Sequence, residues 1–168
     1  MLEKYKRISI IGMEKNVGKT TLLNKLIADI GTNKKLGLTS IGRDGEDIDV
    51  VTNTDKPRIY VRRGSIIATG RNCLAKCDIT KEILYVTDFT TPMGSIVIVR
   101  ALSDGYVDIA GPSYNKQVKI VVELMEKFGS EISIVDGALG RKSTAISDVS
   151  EATILSTGAA LSLDMLKV

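Results

Sequence analysis

The first forty residues show a strand, loop, helix and strand order in their hydrophobic pattern. The run RISIIGM, which begins at Arg7, is short, apolar and rich in isoleucine, as expected for a strand buried on both faces. After Gly18, leucine and isoleucine recur at helical spacing as far as Gly31, which suits the end of a helix. The run KLGLTSI then predicts a second strand. This order requires a parallel sheet with a crossover helix.

The middle of the chain, residues 57–110, has a strand-rich pattern. In PRIYVRRGSIIATG, two β-rich runs meet near Arg63 and Gly64, which predicts a hairpin. Further strand-like runs occur in EILYV, GSIVIVRAL and GYVDIAG, with turn signals at 92–94 and 103–105. We interpret this section as an insertion in the central sheet or an extension of it.

Helical periodicity returns after Pro112, which suits the first turn of a helix. Apolar residues from Val118 to Phe128 form one stripe before Gly129. EISIVDGALG and EATILS predict two more strands, the second followed by the start of a helix. We predict one α/β domain over residues 1–168. The chain ends soon after the last predicted strand, which fits an N-terminal fragment of a longer protein as well as a complete one.

Composition excludes several classes of protein. The 168 residues are 43% hydrophobic and 26% charged, as in an ordinary globular domain. No apolar run approaches the roughly 20 residues that span a bilayer, and MLEKYKR does not have the pattern of a signal peptide. We therefore expect a cytoplasmic protein that does not bind membranes. With two Phe, no Trp and a net charge of +3, nucleic acid is not an expected partner.

Cys73 and Cys77 are the only cysteines, and the chain contains no histidine. Two thiols alone do not complete a tetrahedral zinc site. We interpret them as buried or incidental, with a redox pair or an intermolecular cluster as the alternative.

The segment between the first strand and the first helix has the features of a phosphate-binding loop. In GMEKNVGKT, the two glycines enclose five residues, one more than in the usual motif. Backbone amides at a helix N-terminus favour phosphate. Lys19 is predicted to reach the β- and γ-phosphates and the Thr20 hydroxyl to bind Mg²⁺. Lys15 either neutralises phosphate or faces solvent. The predicted nucleotide-binding residues are Gly12, Lys15, Asn16, Val17, Gly18, Lys19, Thr20 and Thr21.

Acidic residues follow two of the predicted strands. Asp136 ends the strand in IVDGALGRKS, where a buried acid needs a cation or a donor, or else caps a turn. TSIGRDGEDID follows the second strand, and ligands of parallel sheets collect at the carboxyl ends of strands. Asp44 and Asp47 are the predicted magnesium ligands there, with Glu46 and Asp49 less favoured. A charged loop exposed to solvent is the alternative interpretation.

The lengthened loop resembles that of dethiobiotin synthetase and the cobyrinic acid amide synthases, although Met13 and Lys15 stand where those enzymes usually carry small hydroxyl residues. Asp136 and the glycines after it resemble a Glu-Gly-Ala-Gly-Gly segment whose acid helps to hold Mg²⁺. The resemblance implies a mainly parallel P-loop NTPase fold. Arg43, near the position of a catalytic lysine in dethiobiotin synthetase, and Lys19 are the predicted catalytic residues. The chain lacks the Lys-Pro pair of that enzyme, which is a departure from its ligase pattern.

Three longer runs, TSIGRDGEDIDVVTNTDKPRIYVRRGSIIATG, RALSDGYVDIAGPS and IVDGALGRKS, resemble the family of lysine 5,6-aminomutase reactivase small subunits. The resemblance covers most of the chain. It implies an ATP-dependent factor that releases damaged cofactor from an adenosylcobalamin-dependent aminomutase. It also implies two partners, a larger ATPase subunit and the aminomutase.

Three functions are compatible with these observations. The first is a Mg-ATP-dependent P-loop ATPase that acts as a reactivation factor. The second is an ATP-dependent ligase that phosphorylates a small carboxylate, and the third is a nucleotide-gated binding module without turnover. The family resemblance alone favours ATP over GTP, and the related enzymes often form homodimers across the nucleotide site.

Overall fold

The structure is a computed structural model that describes residues 2–13, 17–42, 58–138 and 149–157. Within these ranges the chain forms strands, two α-helices, and two short 3-10 helices at Leu2–Lys4 and Arg71–Lys76. The α-helices are α1 (Lys19–Ile30) and α2 (Asn115–Lys127). The strands are β1 (Arg7–Gly12), β2 (Leu36–Ser40), β3 (Ile59–Val61), β4 (Ile66–Gly70), β5 (Lys81–Thr91), β6 (Gly94–Ala101), β7 (Gly105–Val107), β8 (Ile132–Ala138) and β9 (Ala152–Ser156).

The central sheet has seven strands in the order β5-β6-β4-β2-β8-β1-β9. Pairing is parallel from β4 through β9, whereas β6 pairs antiparallel with both β4 and β5. The prediction of an α/β fold with a mainly parallel sheet is therefore confirmed. Strands β4, β5 and β6 of the strand-rich middle section extend this sheet. The helix predicted after β9 falls outside the described residues.

Apolar side chains form a core on each side of the sheet. Helix α1 buries Leu23, Leu26, Ile27 and Ile30 against isoleucines and leucines of β1, β2 and β8. Helix α2 buries the predicted stripe, which includes Val118, Val121, Val122 and Met125, on the opposite face. Because side chains alternate along each strand, strands β4, β6 and β8 contribute side chains to both cores.

The predicted hairpin at Arg63 and Gly64 is wrong. The turn is present, since Gly64 has a φ of 92° and the Ser65 N–H donates to the Arg62 carbonyl at 3.1 Å. However, β3 pairs with β7 in a separate two-stranded sheet, whereas β4 joins the central sheet. The side chain of Asn24 on α1 binds the β3 backbone, accepting the Tyr60 N–H at 3.1 Å. Long-range contacts thus place the two runs in different layers.

The position predicted for Pro112, in the first turn of a helix, is also wrong. Helix α2 begins at Asn115, with Tyr114 as its N-cap. Pro112 belongs instead to a buried segment that crosses the edge of the central sheet, and its carbonyl accepts the Gly42 N–H at 3.0 Å. This bond ties Pro112 to the segment that directly follows β2.

Glu131 links the amino ends of β2 and β8. Its carboxylate accepts the Lys35 N–H and the Lys34 ammonium, both at 2.9 Å. The backbone bond from Lys35, followed by the bond from Lys34, lowers the pKa of Glu131. A carboxylate whose pKa falls on folding adds stability above its unfolded pKa, and this stability is lost as the pH falls through the folded pKa.

We expect Glu131→Gln to lower the free energy of unfolding more at about pH 7 than at about pH 3, because the stabilisation by the carboxylate is lost as the pH falls toward and through its lowered pKa. Urea unfolding at both pH values measures the difference. Asp88→Asn, on the exposed side of β5, is the control for loss of one carboxylate. An equal loss at both pH values would contradict the assignment.

Candidate functional site

The candidate site lies where neighbouring strands of the central sheet send their connections in opposite directions. Strands β1 and β8 are adjacent and parallel, with Gly12 opposite Ala138. In the strand order, the connection that follows β1 leads to β2, on one side of this pair. The connection that follows β8 leads to β9, on the other side. Such a divergence opens a crevice beyond the carboxyl ends of the two strands, which is where open α/β sheets bind ligands.

Two glycines give the loop between β1 and α1 its local shape. A Cβ at Gly12 would lie only 2.6 Å from Lys19 Cδ and 2.7 Å from Val17 Cγ2, so the returning chain packs directly on this glycine. Gly18 has a left-handed φ of 79°, which glycine adopts without steric cost. It is the N-cap of α1 and provides no side-chain cap. The amino end of α1 is therefore not capped by the residue before it.

Lys19 connects the amino end of α1 with the carboxyl end of β8. Its aliphatic stem lies over Gly12, and its Nζ donates to the Gly137 carbonyl at 3.4 Å. The ammonium group therefore reaches the residue next to Asp136, inside the crevice between β1 and β8. This placement brings together two residues that the sequence predicts to act on the same ligand.

Asp136 and Thr20 are the described members of the predicted magnesium site. Asp136 has the same strand parity as Ile132 and Ile134, which are buried in the core under α1, so its side chain is on the α1 side of β8. It is half-buried, as is Thr20 in the first turn of α1, whereas Thr21 is exposed. Thr20 and Asp136 supply one hydroxyl and one carboxylate on the same side of the sheet.

Ser156 holds both ends of the loop, and the sequence analysis did not identify it. Its carbonyl accepts the Met13 N–H at 3.0 Å, just after β1. Its hydroxyl donates to the Val17 carbonyl, just before α1. Ser156 pairs with Gly12 in the β1–β9 register. Only this register reveals the role, because a serine at the end of a strand carries no distinctive sequence signal.

Residues 108–112, which we call the edge strap, cover the neighbouring part of the same sheet edge. Thr69 on β4 accepts the Ala110 N–H at 2.9 Å, and Ser40 on β2 accepts the Gly111 N–H at 2.9 Å. Both hydroxyls also donate to carbonyls of the edge strap. The edge strap therefore supplies hydrogen-bond partners for Ser40 and Thr69 near the ends of β2 and β4.

Several predicted site residues cannot be placed. Lys15 and Asn16 of the loop, and Arg43, Asp44 and Asp47 after β2, lie outside the described residues. Their roles remain predictions. Within the described ranges, no three Asp, Glu, His or Cys residues cluster as a metal site.

The two cysteines lie away from this crevice. Cys73 is buried in the 3-10 helix Arg71–Lys76, and the half-buried Cys77 follows that helix and donates its thiol to the Cys73 carbonyl at 3.3 Å. Burial is the main cause that raises the pKa of Cys77. A raised pKa reduces the thiolate population, which favours structural cysteines over a redox pair.

Comparisons with known protein families, curated proteins and solved structures found no match for this chain. In the described part of the chain, neither helix combines the length and apolar character that a membrane span requires. The assignment of function consequently depends on the residues of the crevice and on the sequence patterns that lead to it.

We expect Gly18→Ala to lower the free energy of unfolding by about 1 kcal/mol, because an alanine in the left-handed region is strained. No atom lies within 4 Å of the added Cβ, so the expected effect comes from the backbone and not from a clash. Gly18→Asn is the matched variant and should cost less, since asparagine tolerates this conformation. Urea unfolding distinguishes them, and native stability in Gly18→Ala would contradict the left-handed assignment.

Proposed function

We propose that this chain is a P-loop ATPase that binds Mg-ATP at the amino end of α1 and hydrolyses it. The placement of Lys19 carries the proposal: its stem lies over Gly12 and its ammonium reaches the carboxyl end of β8. A fixed cation beside the amino end of a helix favours a polyanion, since both contribute positive potential.

The start of α1 suits a phosphate group. The first backbone N–H groups of a helix have no acceptor within that helix, and Gly18 offers no side chain that would occupy them. In the proposed site, these N–H groups, at Lys19, Thr20 and Thr21, bind phosphate oxygens. The two hydrogen bonds of Ser156 hold the loop beside them in place.

The described oxygen donors also fit Mg²⁺. Magnesium in nucleotide sites takes one or two carboxylates and keeps water and phosphate oxygens as its other ligands. Thr20 and Asp136 would hold it, and Asp44 and Asp47 remain predicted contributors. When bound, Mg²⁺ supplies positive charge beside the phosphate oxygens.

Hydrolysis in this site would depend on position and charge. The α1 amides and the Lys19 ammonium orient the triphosphate and stabilise negative charge on the γ-phosphoryl oxygens. Water attacks the γ-phosphorus in line, and the bond between the γ-phosphorus and the β–γ bridging oxygen breaks. The products are ADP and phosphate. Arg43 is predicted to stabilise the transferring group further.

We further propose that this activity serves to reactivate an adenosylcobalamin-dependent aminomutase. The support is the sequence resemblance to reactivase small subunits, which covers most of the chain. The proposed partners are a larger ATPase subunit and the aminomutase, in the cytoplasm. A homodimer across the nucleotide site is a further hypothesis from the same group of enzymes.

We expect Lys19→Ala to weaken Mg-ATP binding by at least about tenfold, because it removes a charge-assisted contact to phosphate. Isothermal titration calorimetry measures the affinity. Lys25→Ala is the matched control: this lysine also lies on α1, but its side chain is 70% exposed and pairs with Asp29. Native affinity in Lys19→Ala, or an equal loss in Lys25→Ala, would contradict the proposed site.

Reactivation is tested with inactivated aminomutase, the larger subunit, this chain and Mg-ATP. We expect activity to return with the native chain and not with Lys19→Ala. If nucleotide binds but activity does not return, the reactivase role is wrong while the nucleotide site stands. Phosphate release stimulated by a small carboxylate would then support the ligase, and binding without turnover would support the gated module.

A further inference from the structure

A second concave site lies at the outer edge of the central sheet, distant in strand order from the crevice. Strands β4, β2 and β8 separate it from β1. It is a cavity of about 530 Å³ between the 3-10 helix Arg71–Lys76 and strands β5 and β6. We call it the edge groove. Its volume is within the range of small-molecule sites, about 300–1,000 Å³.

Apolar side chains form most of the edge groove. Leu74 and Val97 are buried in it, with 9% and 2% of their surfaces exposed. Ile83 and Val86 line its outer side and remain 63% and 54% exposed. Large aliphatic side chains exposed together beside a cavity are a common feature of binding surfaces. The site therefore suits the apolar body of a ligand.

Two cations accompany this apolar lining, which contains no carboxylate. The Lys81 Nζ donates to the Leu74 carbonyl at 2.8 Å, which holds it against the groove and leaves two N–H donors. Arg71 makes no side-chain hydrogen bond or ion pair with any residue in the described ranges. Ala75, which lies between Arg71 and Lys81 in the sequence, also lines the groove and carries no charge. The complementary ligand is therefore an anion.

The edge of β5 is poorly suited to pairing with another strand. Its register with β6 shifts between Ile83 and Tyr85 and again between Val86 and Thr90. Such bulges bend a strand and interrupt its hydrogen-bonding edge, which opposes the addition of an extended peptide. A compact ligand that lies in the groove fits this geometry better.

We propose that the edge groove binds an amphipathic carboxylate, with the aliphatic chain on Leu74, Val97 and Ile83 and the carboxylate between Arg71 and Lys81. The site is independent of the nucleotide crevice. The ligand class follows from the apolar lining, the two cations and the volume of the cavity.

The test uses the full chain labelled with ¹⁵N and decanoate below its micelle concentration as the probe. We expect saturable shifts in the amide resonances of Ala75, Ile83 and Val97. Decanol, which has the same chain without the charge, should bind about tenfold more weakly, since charge-assisted bonds are lost. Acetate, which lacks the chain, should produce no saturable shifts.

Two variants test the two halves of the site, with the urea midpoint of each checked first. Arg71→Gln with Lys81→Gln should weaken decanoate binding by about tenfold or more and leave decanol unchanged. Ala75→Leu, which adds bulk at an exposed groove position, should weaken both. Lys119→Gln, at an exposed position on α2, is the charge control and should match the native chain.

Any of three results would overturn the proposal. The first is no saturable decanoate binding, which includes the case of a groove filled by another segment of this chain. The second is equal affinity for decanoate and decanol. The third is native affinity in a folded Ala75→Leu variant.

Discussion

The contact between Lys19 and Gly12 determines how the loop, the first helix and the sheet are arranged. The lysine stem passes over the glycine because no Cβ stands in its way, and this path directs the ammonium to the carboxyl end of β8. The hydrogen bond from the ammonium to the Gly137 carbonyl also depends on β8 lying beside β1, which the parallel pairing provides. Helix α1 packs on the face of the sheet that also carries the Asp136 side chain, and this packing holds the start of the helix near the ends of β1 and β8.

The ends of β2 and β4 and the ends of β1 and β9 obtain their hydrogen-bond partners in different ways. Strand ends leave polar backbone groups and side chains that need partners. At β2 and β4, the edge strap supplies them through Ser40 and Thr69. At β1 and β9, Ser156 ties the loop to the sheet, and the N-cap residue Gly18 provides no side-chain cap for α1. The proposed function places the ligand at this second part of the edge.

The crevice and the edge groove differ in the chemistry that each can recognise. The crevice combines a helix terminus, a cation and oxygen donors, and the proposal of Mg-ATP binding rests on these features. The groove combines an aliphatic lining with two cations, which suits a carboxylate with an apolar chain. They lie at different strands of the central sheet, so a ligand at one does not occupy the other.

The sequence alone determined the elements that local periodicity encodes. Strand β1 and helices α1 and α2 were predictable because burial imposes a period of 3.6 on helices and continuous apolar runs on central strands. The same pattern predicted the strand that carries Asp136, although β8 continues two residues beyond it, to Ala138. These features depend on residues that are close in the chain.

Tertiary structure decided every feature that depends on distant pairing. The pairing of β3 with β7 overrode a plausible local hairpin, because each apolar run is buried against a different layer. The hydrogen bond of Ser156 to Val17 joins residues 139 positions apart. The edge groove likewise forms only when β5 and β6 fold beside the 3-10 helix at 71–76. Sequence patterns report which side chains are buried, but strand order and register decide which of them meet.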